Sequence, residues 1–485
     1  MSLTGSLNSA LSGLNAAARA AELISSNVAN AMTEGYARRE LQTSARVVGQ
    51  SGQGVKVDGV LRQADLAVIA DRRVAQAGSS ASSTVVDFMT RLETALGSVG
   101  SEGSLVSRVA GFSTSLQEAA SRPDADTRLI GVLQSATALT QQISSAATAI
   151  QSARADADGQ ISDQVSLLNI TLNQVAQFNG DIGVGLVNGR DVSALMDQRQ
   201  RAIDSIASIV PLREVPRSYG GVALFTTGGA IILDGKPAEF GFTAAGVVVA
   251  GMTQASGALS GLTLDDRSVA TSGDSSLISG GTLAAAFQVR DSLAPAAQAN
   301  LDALARDLIT RFADPATDPS LPLSAPGLFT DTGTGFDPSA EVGLAQRLSV
   351  NSSVDPTKGG DLSKLRDGLG AMAPGPVGSA AQFNRFSAAL ESLRTPASGG
   401  FSAASRSFAT LATDMTSFAA SGRVAAENDA TYNAAKLETV KTLELQGGVD
   451  TDHEMQTLLS IEKAYTANAK VISVVNDLLQ RLLEI

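Results

Sequence analysis

The single histidine of the chain, His453, is followed by Glu454. This is the first half of the His-Glu-x-x-His pattern, which sets two zinc ligands and a general base on one helix face. Thr457 stands where the second histidine would be, so the second ligand is missing. With no cysteine among the 485 residues, a zinc or iron centre would need an all-carboxylate ligand set. His453 is therefore expected to be an exposed residue in the first turn of a helix. Asp156, Asp158 and Gly159 are similar to the start of a calcium loop, but the later ligand positions fail. A solvated helix surface is the expectation there. There is no Gly-x-Ser-x-Gly nucleophile elbow, and a Ser–His–Asp set would have to recruit His453. Gly183 and Gly185 lack the downstream glycine of a dinucleotide fingerprint, and no Walker A motif occurs. Nothing singles out a carboxylate pair among the 48 acidic residues. The expectation is a protein that is not an enzyme, with no catalytic, cofactor-binding or metal residues.

The elements that would position such groups are more informative than the groups. Leu458, Ile461, Tyr465, Asn468, Ile472, Val475, Leu479 and Leu482 recur at alternating spacings of three and four. Near the N-terminus Leu7, Ala10, Leu14, Ala17, Ala21, Ile24, Val28 and Ala31 repeat the pattern. This spacing puts each set on one seam of a helix, the a/d seam of a coiled coil. The first seam is mostly small and the second mostly large, so the ends suit packing on each other or on copies of themselves. Asn468 is expected to be a register-setting polar residue within its seam, the alternative being that it simply faces water. Thr451 and Glu454 have the spacing of a capping box for the last helix. Asn30 and Gly35 mark the stop of the first.

Composition narrows the class. The chain is 44% hydrophobic but only 4% aromatic, without tryptophan, which suits long helices packed through small side chains. A formal charge of −12 argues against nucleic acid, whose phosphates need a basic surface. No apolar run approaches the ~20 residues of a membrane helix, so membrane insertion is not expected. No basic segment leads into an apolar core at the N-terminus, so any export is expected to proceed without a cleaved signal peptide.

The expected fold is mainly α with a β-rich insert: terminal helices pairing as a coiled coil, a long-helix bundle body and an inserted antiparallel β domain. The expected divisions are a terminal helix over 1–35, a helical body over 36–210 with short strands near 41–62, and a β-rich insert over 211–375 with a helix at 282–312. A helical return over 376–450 and a second terminal helix over 451–485 complete the plan. Helical patterns dominate from about Ser80, and Asp124 to Phe178 reads as one or two very long helices. Within the insert Val222–Phe225, Ile231–Leu233 and Val247–Ala250 are strand candidates, separated by glycine-containing turns.

The run ALSGLNAAARAAELISSNVANAMTEGYARR resembles the N-terminal signature shared by rod, hook and first hook-associated proteins of the bacterial flagellum, with Asn27, Ala29, Asn30, Thr33, Gly35 and Tyr36 in the signature places. At the other end Glu454-Met455, Ala464-Tyr465, Asn468 to Ile472 and the final Leu482-Leu483 resemble the partner segment of the same group. GQGVKVDGVLRQAD, Asp197-Gln198-Arg199 and SGGTLAAAFQVRDSL are similar to internal segments of the FlgK family of hook-associated proteins. One departure is Gln200, where the family often carries aspartate.

The resemblance implies a structural axial protein forming the junction between hook and filament, required for filament assembly and motility. It would lie outside the cell, with partners in the flagellar hook protein, the second hook-associated junction protein and copies of itself in a helical ring. A flagellar export chaperone and the type III export apparatus would handle it before assembly. Leu7, Leu14, Ala21, Ile24 and Val28 would then be assembly residues, and the C-terminal seam would serve both assembly and the chaperone. Another axial protein (hook or distal rod), or a secreted adhesin or enzyme with axial-type export ends, are the alternatives. Burying a large apolar side chain is worth ~1.5–3 kcal/mol against ~1–2 kcal/mol for ordering a residue. An Ala-rich helix pair barely breaks even, so both ends are expected to order only against neighbours. Strong deuterium-exchange protection of residues 5–30 in the monomer would count against this.

Overall fold

The computed structural model describes residues 3–33, 35–48, 51–98, 100–273 and 276–483. Helix α1 (Leu3–Ala29) contains no proline and buries Ala10, Ala16 and Ala17 on its inner side, and it stops just before Asn30. Ala31, assigned to the seam from its spacing, lies in the turn beyond the helix. Strands β1 (Arg38–Val48) and β2 (Ser51–Gln63) then form one antiparallel hairpin. At 11 and 13 residues they are long strands, not the short ones expected near 41–62. Register shifts at Gln42/Thr43 and Ala45/Val47 disrupt the strict alternation, which is why period-2 reading underestimates them. The hairpin lies on α1: Val55 N–H donates to Ser12 Oγ at 3.1 Å.

Helix α2 (Leu66–Leu96) begins well before Ser80, because Asp65 caps it by accepting from the N–H groups of Ala67 and Val68. After α3 (Leu105–Ser121), α4 (Asp126–Val187) is a single helix of 62 residues, about 90 Å long. Helix α5 (Ser193–Ala207) returns along its end. The insert follows as two small antiparallel sheets. The first runs in sequence order through β3 (Leu212–Pro216), β4 (Val222–Thr226), β5 (Ile231–Asp234) and β6 (Lys236–Pro237). The second contains β7 (Phe240–Gly241), β8 (Leu262–Leu264) and β9 (Arg267–Val269).

The apolar run Val247–Ala250 is bends and turns, not a strand. Its carbonyls are diverted: Arg154 donates to the backbone oxygens of Val249, Ala250 and Met252, leaving no ladder to form. Asp158 is corrected in the same way. It is 1% exposed, accepts from Arg290 Nη1 at 2.7 Å and from the Ala245 N–H, and is no part of a solvated surface. Arg290 sits in a π-turn, Val289–Leu293, between α6 (Thr282–Gln288) and α7 (Ala294–Phe312).

Short elements follow: β10 (Phe329–Asp331), α8 (Leu344–Arg347), β11 (Leu348–Val350), which pairs with β10, and α9 (Lys364–Asp367). The helical return is interrupted. Helix α10 (Ala381–Glu391) and α11 (Phe408–Gln446) are separated by an irregular segment bridged at Arg394 and Arg406. Helix α11 runs antiparallel to α2, with Arg423 paired to Glu93 and Asn433 Nδ2 donating to Ser82 Oγ. One apolar core gathers around Phe112, Phe312, Phe329 and Phe386, with the Phe312 and Phe329 ring centroids 4.9 Å apart. A second lies between the far half of α4 and the insert, around Leu168, Leu172, Leu224 and Phe287.

Helix α12 (Thr451–Leu483) packs along α1 in antiparallel sense: Asn27 meets Glu454 near one end, and Gly13 lies under Asn468 further along. The terminal helices therefore pair as expected.

Candidate functional site

The structure places the two seams against each other unevenly. On α1, Ile24, Ala10 and Ala17 are buried, while Leu7, Leu14, Ala21 and Val28 are half-buried. On α12, Val475 is buried and Leu458, Ile461, Asn468, Ile472 and Leu479 are half-buried. Tyr465 and Leu482 are exposed, at 43% and 58%, and are not drawn into the pair. A Cβ on Gly13 would stand 2.8 Å from Asn468 Nδ2, so Gly13 is what admits this side chain. Asn468 Nδ2 donates to its own helix, at Ala464 O.

The signature residues divide sharply. Ala29 and Thr33 are exposed, and Glu34 lies outside the described residues. Asn30 ties back to the helix, its Nδ2 donating to Ser26 O at 2.9 Å. Gly35 takes φ +76°, and a Cβ there would lie 2.8 Å from Arg201 Cγ, so both conformation and space demand glycine. Asn27 is fully buried and uses its whole amide. Its Oδ1 accepts from Tyr36 Oη at 2.8 Å and Arg39 N–H at 3.0 Å. Its Nδ2 donates to Arg39 O at 2.9 Å and Glu454 Oε2 at 3.0 Å. This one side chain ties the end of α1 to the root of the hairpin and to the start of α12.

Glu454 overturns the expected capping box. It is 1% exposed and turned away from its own helix, accepting from Asn27 and from Arg38 Nε at 2.6 Å. Asp450 caps α12 instead, its Oδ1 accepting from the N–H groups of Asp452 and His453. His453 is exposed.

The knot continues into the body through residues that spacing did not single out. Asp197 accepts from Arg39 Nη2 at 2.6 Å and from Arg62 Nε at 2.8 Å. Gln200 accepts from Arg62 Nη2, which is how this chain uses the position where the resemblance led one to expect aspartate. The Arg39 guanidinium also lies 5.0 Å over the Tyr36 ring. One turn further along α5, Asp204 accepts from both Arg72 and Arg73 of α2. Arg72 also pairs with Glu444 at 2.5 Å, and Arg73 with Glu214 at 2.8 Å. Burial pulls the Arg73 guanidinium down, but the carboxylates of Asp204 and Glu214 outweigh it and hold the group above its ordinary value. Burial pushes Glu444 above the usual carboxylate range, against Arg72 and with the help of Asp204. Asp197, Gln200 and Asp204 recur at i, i+3 and i+7, one face of α5. That spacing was the available signal, but it carries no information about which arginines it receives.

Asn27→Asp should undo the knot, because a second carboxylate would face Glu454 and the donor to Arg39 O would vanish. Exchange of the Arg39 amide is expected to speed up at least tenfold, the equivalent of ~1.4 kcal/mol. Unchanged protection of residues 36–40 by hydrogen-exchange mass spectrometry would show that the knot does not hold the turn.

Three family models match the chain in order. Residues 7–36 match "Flagella basal body rod protein", residues 89–316 "Flagellar hook-associated protein FlgK helical domain", and residues 446–485 "Flagellar basal body rod FlgEFG protein C-terminal". The flagellar hook-associated protein 1 of Salmonella typhimurium is 27% identical over 240 residues, covering 48% of this chain and 43% of that protein. The chain thus aligns with less than half the length of that relative. The protein of the same name from Bacillus subtilis is 22% identical over 516 residues, covering 98% of this chain and 97% of its own length. A solved structure, the flagellar hook junction protein FlgK from Burkholderia pseudomallei, is similar with a TM-score of 0.43 at 21% identity, over 54% of this chain and 46% of that one.

The two terminal helices that pair in the structure carry the segments similar to flagellar rod-type proteins. With residues 89–316 between those segments matching the FlgK helical domain, the chain is similar, segment by segment and in the same order, to hook-associated proteins of the FlgK kind.

Proposed function

We propose that this protein is a structural subunit of the flagellar axis at the junction of hook and filament, needed for filament assembly and motility. The observation that carries this reading is the half-covered state of the terminal unit. Beside the α1–α12 seam, Leu11, Leu459, Val471, Val474, Leu478 and Leu482 are each between 43% and 58% exposed. A row of this kind on one helix pair is a surface for other subunits, whereas Phe112, Phe312 and Leu168 of the body are wholly enclosed. A subunit built this way has its adhesive surface at the ends of its chain and its stable mass in the middle.

The partners proposed are the hook protein below, the second hook-associated junction protein above, and copies of the chain itself around the axis. Before assembly, the uncovered flank of α12 offers an export chaperone an amphipathic helix to hold. The place proposed is the extracellular flagellum. Among the described residues no helix is long and apolar enough to cross a membrane.

Cells deleted for the gene provide the test, by electron microscopy with flagellin assayed in the medium. Hooks without filaments, and flagellin released, are the expected result. Loss of hooks would move the protein to rod or hook, and normal filaments would overturn the axial role.

A further inference from the structure

We propose that the terminal unit, made of α1, the hairpin and α12, is hinged on the body and held in one orientation by an ionic latch on α5. The first observation is what crosses the joint covalently. Ala64 and Asp65 join β2 to α2, and Gly447 to Asp450 join α11 to α12. Gly447 has φ −82° and ψ −2°, a backbone any residue adopts, so the observed orientation does not itself call for glycine there. The second observation is where the apolar cores end. Among the described residues neither core, nor the partly buried residues packed on it, includes any residue before Val85 or after Ala426. No continuous hydrophobic core spans the joint.

What does span it is charge. Arg39 and Arg62 at the root of the hairpin converge on Asp197, and Arg62 also reaches Gln200. Asp197 is 3% exposed. The socket is fixed from behind, since Asp204 on the same helix is held by Arg72 and Arg73. Apolar contacts can slide while staying favourable, but charge-assisted hydrogen bonds are short and directional. A joint made of them is closed in one geometry and released outside it, and two short links then let the unit swing. The knot around Asn27 stays on the moving side, tying α1, the hairpin and α12 into one piece. This device does not depend on where in the flagellum the chain stands.

The absence of cysteine lets spin labels be placed at will in the full chain. Thr43→Cys on β1 and Thr148→Cys on α4, both exposed, measure across the joint. Lys56→Cys with Gln63→Cys, both exposed and roughly 23 Å apart along β2, measures within the hairpin. Pulsed electron resonance is expected to give one narrow cross-joint distance in the parent chain. Asp197→Asn breaks the latch from the body side and Arg62→Gln from the hairpin side. Each should raise the population at other distances at least tenfold while the hairpin distance stays narrow. A cross-joint distance already broad in the parent, or narrow and unchanged in both variants, overturns the proposal. So does a hairpin distance that broadens with the other, since the ribbon would then have melted without swinging.

Discussion

Arg290→Met is expected to lower the stability of the body by about 3–5 kcal/mol, the scale of breaking a buried ion pair from one side. Arg290 is wholly buried and spends its guanidinium on four oxygens: Asp158 Oδ1 at 2.7 Å, both carboxylate oxygens of Asp291 at 2.9 Å, and Ser260 O at 2.9 Å. It also lies 4.9 Å over the Phe287 ring and 5.5 Å over Phe242. Methionine fills much of the volume but leaves Asp158 enclosed without the guanidinium bonded to it, keeping only the Ala245 N–H and the charge of Arg154 nearby, and leaves the Ser260 carbonyl without its donor. A buried carboxylate stripped of its bonded guanidinium is the costliest of these losses. The segment 242–261 hangs on this pair and on Arg154, so it should lose exchange protection first. Urea unfolding followed by far-ultraviolet circular dichroism gives the magnitude. A second variant, Arg290→Met with Asp158→Leu, removes both charges and should recover most of the loss, because an apolar pair of similar volume is nearly neutral there. A loss under about 1 kcal/mol in the single variant would mean that the pair contributes little net stability.

The Asp158–Arg290 pair also shows why part of this fold was illegible. The partners are 132 residues apart, and one stands beside a glycine in a helix that reads as solvated. Periodicity tells which face of a helix is apolar; it says nothing about a single charge that finds a partner through the fold. For the same reason the terminal seams were legible, since many residues repeat one spacing, whereas Glu454 was misread as a local cap. Its spacing from Thr451 fits a capping box, but its carboxylate is taken by Asn27 and Arg38, more than 400 positions away. Tertiary partners won over a local one because they offered a charge as well as an amide. The hairpin was legible in place but not in length, because bulges break its alternation. Asn27, Gly35 and Tyr36 were visible as a motif, yet only the folded turn shows that Asn27 bonds to Tyr36 and to the root of the hairpin, and that Gly35 lies close under Arg201.

Val474→Asp together with Leu478→Asp is expected to abolish filament assembly and swarming while leaving the isolated chain folded. The two positions are 49% and 44% exposed and flank the α1 seam, whereas Val475, one residue on, is 5% exposed and faces α1. Placing aspartate at 474 and 478 therefore spares the contact within the chain and alters only surface that neighbouring subunits would cover. Each valine or leucine buried between subunits is worth ~1.5–3 kcal/mol, and an unpaired carboxylate in its place adds a desolvation penalty. In a helical assembly the same loss recurs at every subunit, so two substitutions per chain should suffice to prevent closure. Gln480→Asp adds a single negative charge on another exposed face of α12 and should leave motility intact. Unaltered circular dichroism, export of the variant into the medium and loss of filaments would tie the defect to assembly. Normal swarming of the double variant would mean that the uncovered flank of α12 is not the surface by which the chain joins its neighbours.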